Sequence, residues 1–232
     1  MSEKKFSLTP RVMVQLLVVI VLIPLFPLLL SGRWSWWQGW AYASIAVFGF
    51  LISRGVAARV HPDLLHERAR FSEHEDIKEW DKPLSRLMGY GAGLLPVVIG
   101  LEHRFGAAGD FGLAVNLIGL GLLLSGYALG TWALTANRFF SGVVRIQKDR
   151  NHQVVRHGPY RIVRHPGYLG ALVSYLGTPL LLDGRWAFLA VLLLLVVTGV
   201  RTRLEDRTLQ EELDGYRDYT RKVRFRLIPG VW

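Results

Sequence analysis

The sequence predicts an all-α, polytopic integral membrane protein. It has about five to six membrane helices, including a short C-terminal helical hairpin, and then an interfacial amphipathic C-terminal helix. Three observations predict this class. First, 51% of the 232 residues are hydrophobic and only 20% are charged, where a soluble domain carries about a quarter. Second, six stretches are apolar and free of charge: 12–32, 34–53, 87–101, 111–137, 167–182 and 186–200. Third, the basic residues are distributed unevenly about those stretches.

A helix needs about 20 residues to cross a hydrocarbon core of roughly 30 Å. The first, second and fourth stretches have that length, and the other three are 15–16 residues. The fifth and sixth either cross or form a re-entrant hairpin, and the length alone leaves both open. The first stretch is too long for a cleavable signal peptide and lacks a small-residue cleavage site before the next span. If all six cross, one side carries 25 of the 28 Lys and Arg residues, and the other only Arg33, Arg104 and Arg185. By the positive-inside rule both termini are expected in the cytoplasm. The formal net charge of +10 then sets topology, and no nucleic-acid partner is expected. No cysteine is present, which excludes disulfides, thiolate metal sites and cysteine nucleophiles.

The chain reads as one membrane-embedded domain, 1–232. Residues 1–137 supply four membrane helices and a connector, 54–86. Residues 138–232 supply a ligand-binding loop, the helical hairpin and a cytoplasmic helix. The connector carries seven basic and seven acidic residues and reads as a solvated link with a short helix. In the fourth stretch Gly126 and Gly130 form a small-xxx-small pair, suited to close helix approach. Gly119-Leu120-Gly121 is not a dinucleotide fingerprint, because Leu124 stands at the third glycine position and no strand precedes it. Residues 202–222 read as the amphipathic helix, with Leu209, Leu213 and Tyr216 at i, i+4 and i+7.

The outer segments are too short to hold a site, so polar chemistry belongs to the cytoplasmic side. Residues 138–168 hold seven Lys and Arg, one acidic residue and three of the seven histidines. Gly158-Pro159 and Pro166-Gly167 punctuate the segment as turns. Each proline disfavours helix in the residue before it. Such a loop directs Tyr160, His165 and Tyr168 to fixed places where the fifth stretch begins. Binding of anionic headgroups accounts for the arginines but leaves the histidines, prolines and tyrosines unexplained. His152, His157 and His165 have neither cysteine partners nor H-E-x-x-H spacing, so no metal is expected. At the cytoplasmic end of the sixth stretch, Arg201 and Glu205 lie at i, i+4 on one helix face. Ionisable groups at a membrane border are paired or functional.

His152-x-Val154-Val155-x-x-Gly158-Pro159-Tyr160-Arg-x-x-Arg164-His165-Pro166-x-Tyr168-x-Gly170 resembles the signature of the isoprenylcysteine carboxyl methyltransferase family, itself related to the phospholipid methyltransferases. Arg201, Glu205, Leu209, Tyr216, Tyr219 and Pro229 extend the likeness over roughly 137–232. The resemblance implies a membrane enzyme that uses S-adenosylmethionine at the cytoplasmic face and takes a lipophilic substrate from the bilayer. It implies cofactor contacts from His152, Gln153, Val154, Val155, Tyr160, His165, Pro166, Gly167, Tyr168 and Glu205. Arg201 would face the substrate, and Arg201 and Glu205 would form the catalytic pair. Asp206 stands where the family has a second Glu, Gly167 stands where some members have Ser, and no prenyl-peptide extension is evident. The acceptor is left open among a carboxylate, an amine and a phospholipid headgroup. Sterol-type membrane reductases that use NADPH carry a similar R-H-P-x-Y stretch, but the Arg201/Glu205 pattern and the small size argue against them. A transporter or scaffold would place polar groups at mid-bilayer, and these stretches are nearly clean of them.

Overall fold

The computed structural model describes residues 14, 17–69 and 74–232. The N-terminal basic segment 1–11 and part of the first apolar stretch lie outside the described residues. All six apolar stretches contribute helices. A π-helical turn, Val18–Leu22, runs into α1 (Ile23–Ser31). That helix ends at Gly32, whose φ of 69° places it in the left-handed region and lets its N–H cap the Leu28 carbonyl. Then follow α2 (Trp37–Val60), α3 (Pro62–Ala69), α4 (Asp81–Arg104) and α5 (Gly112–Ala136). The second half holds α6 (Pro166–Leu181), α7 (Ala187–Glu212) and α8 (Tyr216–Lys222). Among the described residues four helices are long and apolar enough to cross a membrane: α2, α4, α5 and α7. At 1.5 Å per residue the 24 residues of α2 reach about 36 Å.

The outward faces support a lipid environment. Phe48, Ile52, Ile118, Leu189 and Leu193 each leave more than half their surface exposed, which water would penalise and hydrocarbon does not. Trp34, Trp37, Trp40 and Trp186 are exposed at one end of the bundle, as expected at a membrane–water interface. The chain is a multi-pass membrane protein.

The tightest packing joins α5 to α6. A Cβ on Gly126 would lie 2.2 Å from Ser174 Oγ and 2.6 Å from the Gly170 carbonyl oxygen, so only glycine lets these backbones meet. The packing role read for the glycine pair therefore holds at Gly126, and Gly130 backbone atoms face Gly170. The turn between α6 and α7 reaches the same end as the turn between α4 and α5. Asn116 Nδ2 donates to Asp183, and Glu102 accepts from the backbone N–H groups of Trp186 and Ala187. The hairpin therefore runs the length of the bundle alongside α5. Leu28, Leu95, Ile99, Leu123, Leu181 and Leu194 form the buried core.

The amphipathic stretch 202–222 divides in two. The α7 helix continues to Glu212 without a break, and the chain turns at Gly215, whose φ is 76°. That turn folds α8 back, so Leu213, Tyr216, Tyr219 and Val223 bury against Ile146 of the polar loop. Their periodic apolar face is covered by the protein itself rather than by the membrane interface.

Candidate functional site

At the end of the bundle opposite the tryptophans, residues 137–165 fold as a compact loop over the starts of α4 and α6 and the polar half of α7. Two 3₁₀ turns, Lys148–Arg150 and Gly158–Arg161, are its regular elements. Asn137 anchors the entry: its Oδ1 accepts the Phe139 N–H at 2.8 Å, and its Nδ2 donates to the Tyr160 hydroxyl at 3.2 Å. Gln147, fully buried, donates to the Phe139 carbonyl at 2.7 Å. Gly158 has a φ of 59° and lies against Ala136 and Trp132, so its turn requires glycine.

Three of the loop's seven basic residues, Arg138, Arg145 and Arg150, are paired with acids of the connector. Arg145 is buried and donates to Glu67 (3.0 and 3.1 Å), Asp76 (3.0 Å) and Asp149 (2.9 and 3.1 Å). Burial opposes its charge, but those three carboxylates hold its pKa above the usual arginine value. Arg138 and Arg150 both reach Asp63. Segment 54–86 is thus no mere solvated link. Glu67 and Asp81 are buried counter-charges for the loop and for α7. Its equal numbers of acids and bases concealed this, because composition does not say which partners lie across the fold.

The second anchor is Asp206, with no exposed surface. Its Oδ1 lies 2.8 Å from Arg164 Nε and 3.4 Å from His165 Nε2, and accepts from the Tyr216 hydroxyl at 3.2 Å. Its Oδ2 accepts from Arg164 Nη2 (3.1 Å), Gln210 (2.9 Å) and Arg226 (2.9 Å). Arg164 also donates to the carbonyls of Val223 and Arg224. The chain end thereby straps the R-H-P turn: the Arg164 and His165 N–H groups donate to the carbonyls of Phe225 and Arg226.

Between these anchors lies one pocket, with about 850 Å³ of atom-free space up to its open mouth, within the range of small-molecule sites. Nine of the residues picked from sequence line it: His152, Gln153, Val154, Val155, Tyr160, His165, Tyr168, Arg201 and Glu205. Pro166 and Gly167 stand behind the wall. Pro166 opens α6 at its first turn, and Gly167 packs against the Phe140 ring. His165 stacks on Tyr168, with ring centroids 5.8 Å apart. The Tyr168 hydroxyl donates to Glu205 at 2.5 Å, and that carboxylate stays partly open, at 23% side-chain exposure. Burial, with help from Arg145 and Arg150, lowers the His152 pKa to about 4, so its imidazole is neutral. Its Nδ1 faces the Gln147 N–H.

Arg201 has a partner that sequence reasoning missed. Its Nε and Nη2 donate to Asp81 at 2.7 and 3.0 Å, its Nη2 also donates to the Gly142 carbonyl, and its Nη1 points to Met88 Sδ at 3.6 Å. The i, i+4 spacing suggested a pair with Glu205, but that carboxylate is taken by Tyr168. One sequence signal pointed to Asp81: an acid placed just before an apolar span, where charge is costly unless paired. Phe139, Phe140, Leu209, Leu213, Tyr216 and Tyr219 complete the apolar lining.

A second space lies inside the bundle. A groove with about 1240 Å³ of atom-free space is lined by residues of α2, α4, α5 and α6, among them Tyr42, Phe50, Leu95, Tyr127 and Tyr175. Phe140 borders both the groove and the pocket.

Residues 118–211 match the model of the isoprenylcysteine carboxyl methyltransferase family. The chain is 39% identical over 69 residues to a probable protein-S-isoprenylcysteine O-methyltransferase of Oryza sativa subsp. japonica, covering 29% of this chain and 36% of that protein. It is 34% identical over 110 residues to the protein-S-isoprenylcysteine O-methyltransferase of Schizosaccharomyces pombe, 45% of each chain. The enzyme of that name from Saccharomyces cerevisiae is 33% identical over 120 residues, 49% of this chain and 50% of that one. The chain thus spans about a third to a half of the curated relatives it matches. The matched region contains the loop, the hairpin and Arg201, Glu205 and Asp206.

Proposed function

From the match of residues 118–211 to the isoprenylcysteine carboxyl methyltransferase family, we propose that this chain is a membrane methyltransferase that uses S-adenosylmethionine. It acts on a lipid or lipid-modified substrate at the cytoplasmic face, with both termini on that side. One observation carries the reading: nine residues selected from a sequence motif line a single pocket, which meets an apolar intramembrane groove at Phe140.

The donor set suits the cofactor. The partly open Glu205 carboxylate suits an ammonium group, and the backbone of 152–155, outside any helix, offers peptide donors and acceptors. The stacked His165 and Tyr168 rings offer π faces to a cation. Leu209, Leu213 and Tyr216 supply an apolar wall for a flat ring system. S-adenosylmethionine, when bound, supplies an electrophilic methyl group on a sulfonium. The rest of the task is positioning. A carboxylate acceptor is ionised at neutral pH and needs no general base, and the neutral His152 is not asked to act as one. An acceptor held about 3–3.5 Å from the methyl, in line with the breaking bond, gains most of what the protein can contribute. Arg201, fixed by Asp81, lines that space. Phe140 places an apolar ring where the groove meets the pocket.

Calorimetry in detergent tests the proposal. The purified chain should bind S-adenosylmethionine, and Glu205→Ala or His165→Ala should abolish that binding. Labelled methyl should pass to an S-prenylcysteine carboxylate. Full cofactor affinity in both variants, or binding of NADPH instead, overturns the assignment.

A further inference from the structure

The α2 helix ends its apolar run at Arg54, and α3 carries Arg68. Arg54 is part of the wall of the groove inside the bundle, and Arg68 lies against Phe140, which lines it. Arg54 lines the groove and sits over the Phe50 ring, 4.8 Å from its centroid. Arg68 sits 5.3 Å over Phe140, the residue shared by groove and pocket, and donates to the Phe140 carbonyl at 3.3 Å. Neither is fully exposed. Among the described residues, neither has a carboxylate within ion-pair distance.

That is unlike the buried arginines. Arg145 is matched by Glu67, Asp76 and Asp149, Arg164 by Asp206, and Arg201 by Asp81. Among the described residues, the structural arginines have carboxylate partners and these two have none. Burial, reinforced by the nearby charges of Arg54 and Arg201, lowers the Arg68 pKa to about 9, the direction expected for cations held together without an anion. A desolvated cation pair at the edge of a bilayer is costly unless an anion completes it.

We propose that Arg54 and Arg68 form a receiving site for the carboxylate of a long-chain lipophilic acid whose apolar tail lies in the groove. This deepens the methyltransferase reading and rests on it for the identity of that acid as the methyl acceptor. It also reassigns a task. Arg201 is committed to Asp81 and the Gly142 carbonyl, so the charges that select an anionic acceptor come from the connector side. Guanidiniums donate to carboxylate oxygens in a fork geometry, and a primary amide of equal size offers no such charge.

The test uses the full chain in nanodiscs of zwitterionic lipid, with hexadecanoate and hexadecanamide as probes in a binding titration. The acid should bind the wild type at least tenfold more tightly than the amide. Arg54→Gln and Arg68→Gln should each remove most of that preference by weakening the acid alone, and Arg54→Lys should keep part of it. Thermal unfolding and S-adenosylmethionine affinity of the variants should match the wild type. An acid/amide ratio unchanged by either substitution, or no binding of either probe, overturns the site; the first result is also what arginines that merely reach to lipid phosphates would give. Loss of S-adenosylmethionine binding by the wild type would instead count against the enzyme assignment, and the probe titration would still read the anion site by itself.

Discussion

The Asp81–Arg201 pair offers a sharp test of how the site is held. Asp81 has no exposed surface and Arg201 is 6% exposed. Asp81 accepts Arg201 Nε at 2.7 Å and Nη2 at 3.0 Å, and its Oδ2 also accepts the Val144 N–H at 2.7 Å. One carboxylate thus ties the start of α4 to α7 and to the loop. Asp81→Asn keeps the shape and one acceptor but leaves the arginine charge buried without an anion. Removing one member of a buried pair costs about 3–5 kcal/mol, and the retained acceptor argues for the lower end, roughly 3 kcal/mol. For a chain of this length that corresponds to roughly 6–12 °C in Tm. Because Val144 lines the pocket, S-adenosylmethionine affinity should fall as well. The assay is thermal unfolding in detergent at fixed scan rate, with Asp81→Asn, Arg201→Gln and the double variant. The double variant should be less destabilised than the sum of the singles by about 2 kcal/mol, because its buried charge is gone. A Tm shift below about 2 °C for Asp81→Asn, or strict additivity, would refute the reasoning.

Further outcomes follow from the same geometry. Glu205→Gln should weaken S-adenosylmethionine binding about tenfold or more in calorimetry, with little change in Tm, because its carboxylate is partly open to the pocket. Asp206→Asn should lower Tm and weaken cofactor binding together, since Asp206 anchors His165 and the chain end without lining the pocket; unchanged binding in a destabilised variant would separate the two. For His152 the folded pKa is about 4 and the ordinary value 6.5. The unfolded chain therefore takes the proton first, so its contribution to stability is intact above about pH 6.5 and falls as pH drops toward 4. Replacing His152 with Gln should flatten Tm against pH in that window, which a series of melts would read. Gly126→Val should cost several degrees, because even a Cβ meets Ser174 and Gly170 closer than contact distance.

Much of the molecule was legible in the chain itself. Apolar runs are additive along the sequence, so six charge-free stretches mark the helices without knowledge of their neighbours. The turn chemistry of Gly158-Pro159 and Pro166-Gly167 is equally local, and it located the loop that lines the pocket. Motif spacing picked nine lining residues. The helix boundaries were less legible: α4 begins at Asp81 and α7 runs to Glu212, both beyond the apolar runs, because buried partners let charged turns stay helical.

Tertiary structure alone decided how charge is paired. The sequence determines that 28 basic residues outnumber 18 acidic ones and that the excess concentrates on one loop. It cannot say that Glu67, Asp76 and Asp81 reach across to Arg145 and Arg201, or that Arg54 and Arg68 meet no acid among the described residues. Ion pairs depend on distances of a few ångströms between residues up to 134 positions apart, and on burial that makes each unpaired charge costly. The hydrophobic pattern fixes which segments enter the membrane; the packing of their polar ends fixes which charges remain free to meet a ligand.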